Sequence, residues 1–409
     1  MTQRERMLAA MRGQPTDEIP FAPRMNLWRI AQEARGTTPR RLAGLNTIEL
    51  AEALGVGCHS VGTISTIEER LPEDYALRSF GVENHPDNPY RIEIRGLPVS
   101  YRQEGNGYRL VVKTPAGDVT TVQEYGPELR REGISVPFMT KFPITSVDDF
   151  EPVAQVFEHL EVIPAPGAYA AFRRRMGERG VAVANGLMGA GPMHHLLHDL
   201  MAQEEFFYFF SDEREALRAL ARRMEPFFHR LLDVVAACEA EAVLWGGNYD
   251  QNITWPAFFE EEIAPWLRII SERLHGADML LINHTDGENH ELLRLFPACG
   301  IDIGESVCPR PMTRCSLKEV RAGMGPKMGV WGGLCSIAFL KDSMSDAAFE
   351  GYLDRIFGEL GTGERYLVGV SDMVPVDADL GRIDRIKERI QAFGPVRPAD
   401  TGPEIQSLR

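Results

Sequence analysis

This 409-residue chain is predicted to fold as an α/β protein, a single (β/α)8 TIM barrel with a β-hairpin insertion after the second strand. Three observations carry the prediction. Eight short apolar segments each end in small or polar residues. Amphipathic helical patterns, such as "DEREALRALARRMEPFFHRLLDVVAACEA" and "WPAFFEEEIAPWLRIISERLHG", lie between them. Alternation of this kind builds parallel β/α units, and eight of them favour a closed barrel over an open sheet. No G-x-G-x-x-G follows the first segment, which counts against a dinucleotide-binding sheet.

Taken in order, the segments run Ile19 to Trp28, Leu54 to Gly62, Gly180 to Gly186 and Glu241 to Asp250. They continue with Asp278 to Gly287, Gly300 to Ser306, Met328 to Ser336 and Arg365 to Asp372. Residues 85–165 break the rhythm, with apolar and polar residues alternating around Asn106-Gly107, a hairpin signal. We read this stretch as an insertion forming a wall or lid over the barrel mouth. The barrel is expected over residues 1–395, and residues 396–409, aperiodic and containing Pro and Gly, as a mobile tail.

Composition narrows the function classes. A formal charge of −15 repels phosphate backbones and anionic lipid, so nucleic acid and membrane are poor partners. The start, "MTQRERMLAAMRG", has no apolar signal core and no window reads as a membrane span, so a cytoplasmic protein is expected. The six cysteines form no C-x-x-C pair and are too sparse for a disulfide framework.

In such a barrel the loops after the strands build the active site. The predicted tips offer Arg24, Asn26, Trp28, His59, Asn185 and Asn248 as substrate-binding residues. Asp250, Asp286 and Asp372 are the acid–base candidates. His284, Glu305 and Cys335 end three successive strands and compose a candidate zinc set with an open position, Asp372 being the rival ligand. "NHTDGENH" (Asn283 to His290) holds two of these residues. Asp286 stands before a helical-looking "ELLRLF", so capping is its first expected role. His194, His195 and His198 lack the H-E-x-x-H pattern and read mostly as structural.

Several segments together resemble the uroporphyrinogen decarboxylase superfamily. They are "RERMLAAMRGQPTDEIPFAPR", "WPAFFEEEIAPWLRIISERLHG", "NHTDG", "GIDIGES", "GVWGGL" and "VGVSDMVP", in that order. The resemblance is closer to the corrinoid-dependent methyltransferase and O-demethylase branch than to the decarboxylase proper. The decarboxylase's Arg-Gln-Ala-Gly-Arg segment is replaced here by "PRMNLWRIA", while "VVKTPAGDVTTV" is similar to that branch's Thr-Pro-x-Gly hairpin. The resemblance implies a zinc-using enzyme that moves a methyl group from a small, O-methyl type donor to a corrinoid, and a homodimer. It implies ligands from a His-x-Cys and a later Cys; here those positions read His284, Asp286 and Ser371-Asp372. No D-x-H-x-x-G motif is present, so the corrinoid would be carried by a partner protein. Two alternatives stay open: a metal-free decarboxylase or lyase acting on a small carboxylated substrate, and a non-catalytic ligand-binding barrel.

Overall fold

The computed structural model describes residues 1–60, 77–134 and 136–397. Twelve strands are defined among them: β1 (Tyr90–Ile94), β2 (Val99–Glu104), β3 (Gly107–Thr114), β4 (Gly117–Glu124), β5 (Phe138–Lys141) and β6 (Leu160–Pro164). β7 (Ala184–Asn185), β8 (Ala242–Gly247), β9 (Leu280–His284), β10 (Ile303–Val307), β11 (Gly329–Leu334) and β12 (Tyr366–Val370) follow.

The last six strands form one parallel sheet in the order β12-β11-β10-β9-β8-β7. β8, β10, β11 and β12 are buried at every position, as expected of parallel strands covered on both faces. Helices such as Arg214–Ala236 and Ala264–His275 separate them and bury apolar faces. No described helix is long and apolar enough to cross a membrane.

Six of the eight expected units are therefore regular strands, and the described residues show no closed ring of eight. The first two expected strands are irregular for a covalent reason. Pro20 and Pro23 flank the first and have no N–H to give to a ladder, so only an isolated bridge, Phe21 to Val368, is made. Gly55 and Gly57 occupy the second. Backbone bonds nevertheless tie the first stretch to β12 and the second to the first: Ala22 N–H to Val368 O at 3.0 Å, Val368 N–H to Pro20 O at 2.8 Å and Gly57 N–H to Phe21 O at 2.8 Å, while Cys58 N–H donates to Arg179 O at 2.7 Å. Next along, the Ser60 hydroxyl donates to Val181 O and accepts from Val183 N–H, a side chain standing in for a ladder rung.

The alternating region forms antiparallel structure, as its pattern requires. β2-β3-β4-β5 make a four-stranded sheet, and β1 pairs with β6. Glu104 faces Gly107, so the tight turn is Gly105-Asn106, one residue before the expected position. Gly105 lies at φ 64°, where a side chain would be strained. On β4, Thr121 and Gln123 donate to the Ser79 hydroxyl and so tie this sheet to the stretch carrying Arg78. The expected mobile tail from residue 398 on lies outside the described residues, while Val396 is still paired to Thr16.

Candidate active site

The site is organised by two neighbouring strand ends. His284 closes β9 and Glu305 lies directly opposite it on β10. Parallel partners in register point to the same side of a sheet, so the two side chains meet. His284 Nδ1–H donates to Glu305 Oε2 at 2.5 Å. His59, from the irregular second segment, donates Nε2–H to Glu305 Oε1 at 2.9 Å. One buried carboxylate thus holds two buried imidazoles. The Trp331 ring, 4.4 Å from that of His59, covers the far side.

Burial alone would keep all three groups uncharged, and the pairing changes that. Burial raises Glu305, but the two imidazoles overcome it and hold the carboxyl well below its usual range. Burial also opposes charge on His284, yet the Glu305 carboxylate leaves its pKa raised. For His59 burial wins and its pKa is lowered. The arrangement therefore favours charge on His284 and Glu305 and disfavours it on His59. The His59 Nδ1 is buried with no hydrogen-bond partner among the described residues.

His284 lies in the wall of a cavity of about 360 Å³. Arg24, Asn185, Asn248, Asp286 and Asp372, five of the expected tip residues, also line it. A second lobe of about 310 Å³ shares Asn248, His198 and Asp286 with the first and adds Asp250. Arg24 Nη1 sits 3.3 Å from Asp372 Oδ1. Asp372 and Ser306 are both non-glycine residues in left-handed conformation, at φ 58° and 62°. They are fastened together, Asp372 N–H donating to the Ser306 hydroxyl at 2.6 Å. Such conformations persist only where the surroundings over-determine them.

Asp286 does not cap a helix. The stretch after it is a run of turns, because its amides are drawn to side chains. Glu288 N–H donates to Asp250 Oδ2 at 3.1 Å and Glu291 N–H to Gln251 Oε1 at 2.9 Å. Among the described residues Asp286 Oδ1 accepts only from the adjacent Gly287 N–H, at 2.9 Å. Burial, reinforced by the Asp372 charge, raises the Asp286 pKa against the pull of His284. Asp250, besides facing the second lobe, accepts from Asn252 N–H at 2.8 Å and so closes its own turn.

Other expected site residues lie elsewhere. Asn26 and Trp28 belong to the helix Asn26–Arg35 and are buried away from the cavity lining, Trp28 in the main apolar core. His59 and Glu305 are buried behind His284 rather than in the lining. Cys335 is fully buried and donates Sγ–H to Pro309 O at 3.0 Å.

The zinc set His284, Glu305 and Cys335 does not fit these positions. Both Glu305 oxygens are occupied by imidazoles, His284 Nδ1 is turned onto Glu305, and the Cys335 thiol is committed to Pro309. Among the described residues no group of three or more His, Cys, Asp or Glu is arranged to hold a metal ion.

Sequence reasoning passed over part of the lining. Arg78, Glu83, His85 and Asn88 come from the stretch before β1, and His198 and Asp199 from the helix after β7. His194 and His195 are tied to the backbone: Ala190 N–H donates to His194 Nδ1, and His195 Nε2–H donates to Phe80 O; His194 also lines the second lobe. His198 differs. The helix widens to π geometry over Leu196–Leu200, which turns His198 and Asp199 toward the cavity. His198 Nδ1 lies 3.0 Å from Asp199 Oδ2, and Asn248 Nδ2 donates to His198 Nε2 at 2.8 Å. The "HHLLHD" spacing, with His195 and Asp199 one turn apart, was the available signal.

No family model matches the chain and no curated protein matches it. Its fold is similar to that of a solved methyltransferase from Methanosarcina mazei, over 96% of this chain and 99% of that one, at 12% identity and a TM-score of 0.56.

Proposed function

We propose that this chain is an enzyme that takes a methyl group from a small, O-methyl type substrate and that His284 supplies the proton to the departing oxygen. The observation that carries the reading is the His284–Glu305 pair opening onto the cavity. An alkoxide or phenoxide is a poor leaving group unless it is protonated or coordinated, and a positioned imidazolium does the first. The methyl–oxygen bond breaks as a nucleophile takes the methyl carbon, and the His284 proton converts the released oxygen anion to a hydroxyl. Glu305 keeps His284 charged and oriented, and His59 keeps Glu305 ionised. The likeness in fold to a methyltransferase, and the sequence resemblance, support methyl transfer. In this reading the nucleophile is a reduced corrinoid borne by a partner protein, the chain works as a homodimer, and its irregular first two segments complete an eight-unit barrel.

The test is a single-turnover incubation of the protein with methyl ethers and free cob(I)alamin under anaerobic conditions. Methylated cobalamin and demethylated product should appear together, and His284→Gln should slow both by roughly 100-fold, the scale of general-acid catalysis.

The raised Asp286 pKa favours a second reading, a metal-free decarboxylase, with Asp286 as proton donor and Arg24 as carboxylate grip. Carbon dioxide release from small carboxylic acids, without cobalamin, would select it.

A further inference from the structure

Two cysteines converge behind the cavity. Cys308 follows β10 directly and Cys335 follows β11, the neighbouring strand. Both thiols aim at one acceptor: Cys335 Sγ lies 3.0 Å and Cys308 Sγ 3.8 Å from the Pro309 carbonyl. All six cysteines are free and buried in this structure, so what singles out this pair is its convergence.

Its surroundings tie it to the site. β10 carries Glu305, and Ser306 Oγ accepts from Asp372 N–H. Ser371 Oγ donates to the O of Val307, the residue before Cys308, at 3.0 Å. Movement of Cys308 therefore reaches Glu305 through Val307 and Ser306, and Asp372 through the Ser306 bond and the Ser371–Val307 bond.

We propose that Cys308 and Cys335 form a reversible internal disulfide, a redox modification site that repositions the β10 end and with it Glu305 and Asp372. The oxidant is a small-molecule disulfide. The Cys335 thiolate attacks one of its sulfurs and expels the first thiolate. Cys308, losing its proton to that thiolate, then attacks the Cys335 sulfur and expels the second. Two protein thiols and one disulfide become one protein disulfide and two small thiols. Cys335, at the end of β11, is the attacking group and Cys308, at the neighbouring end of β10, resolves the mixed disulfide.

The full chain is treated with oxidised glutathione or, for speed, 2,2′-dithiodipyridine, and the folded product is digested without reduction and mapped by mass spectrometry. The expected product joins the Cys308 and Cys335 peptides, and free thiols in the denatured protein fall from six to four. Histidine NMR of the oxidised protein should show the His284 signals displaced and restored by dithiothreitol. Cys335→Ser should abolish the crosslink, while Cys315→Ser, beside His290, should leave it intact. Mixed disulfides alone, a different pairing, no reaction, or a crosslink that leaves His284 unmoved would each overturn the proposal. Neither readout involves methyl transfer, so failure of that reading would leave this one standing.

Discussion

His284 and Glu305 face each other in register on adjacent parallel strands, Nδ1 to Oε2 at 2.5 Å, with the carboxylate almost wholly buried and the imidazole in the cavity wall. Two residues 21 apart in sequence thus become one acid–base unit through strand pairing.

Removing the carboxylate charge should be costly. Glu305→Ala leaves the His284 imidazolium buried without a counter-charge and strips His59 of its partner. Breaking one side of a buried pair typically costs 3–5 kcal/mol, so a loss of about 3 kcal/mol is expected in urea denaturation near neutral pH. Glu305→Gln, which keeps the shape, should lose less.

Stability should follow pH with a defined sign. Glu305 is held below its ordinary value of 4.5, so its contribution is present above that pH and is lost as pH falls toward the folded value. His284 is raised above 6.5, so its contribution is complete below that pH and is lost as pH rises through the folded value. The pair should therefore stabilise fully between pH 4.5 and 6.5, and denaturation of wild type minus His284→Gln should show that window. Asp286 runs the other way: its raised pKa penalises the ionised form, so Asp286→Asn should be neutral or stabilising at pH 7.

Asn248 sits at φ 57°, its amide donating to His284 O at 2.9 Å and its side chain to His198. Asn248→Gly relieves the backbone strain but frees His198. Thermal stability should stay within about 1 kcal/mol of wild type, the size of such strain. The His198 titration by NMR should move, since one ring partner is gone.

Gly81 allows the close approach of Asp199. A Cβ there would stand 2.4 Å from His195 Cε1 and 2.5 Å from Asp199 Cβ, at φ 66°. Gly81→Ala should cost about 3 kcal/mol by overpacking and strain together. It should also displace His198 from the cavity wall, which its NMR signals would report.

The parts of the fold visible in the sequence were those governed by local pattern. The apolar runs ending at His284, Leu334 and Val370 are strands because period and burial agree there, and the alternation around residue 106 is antiparallel sheet. The first segment is no regular strand because Pro20 and Pro23 have no N–H for a ladder, and the second forms no ladder as far as Ser60, where the described residues pause, although the apolar content of both looked strand-like. The helix expected after Asp286 failed because Asp250 and Gln251, distant in sequence, take its amides. That His284, Asp286 and Asp372 converge on one cavity was legible from their place after apolar runs. Glu305 was legible as a site residue but not as the anchor of His284 and His59, since that depends on register across three segments. His198 was set aside with its structural neighbours because an α-helical count does not foresee a π turn.

The central claim is that His284 stands charged in the cavity wall because Glu305 holds it so. The most direct measurement is the His284 pKa by NMR titration of isotope-labelled histidine in wild type and Glu305→Gln. A value above 6.5 in wild type that drops in the variant is the result this account predicts. A wild-type value at or below 6.5, unmoved by Glu305→Gln, would contradict it.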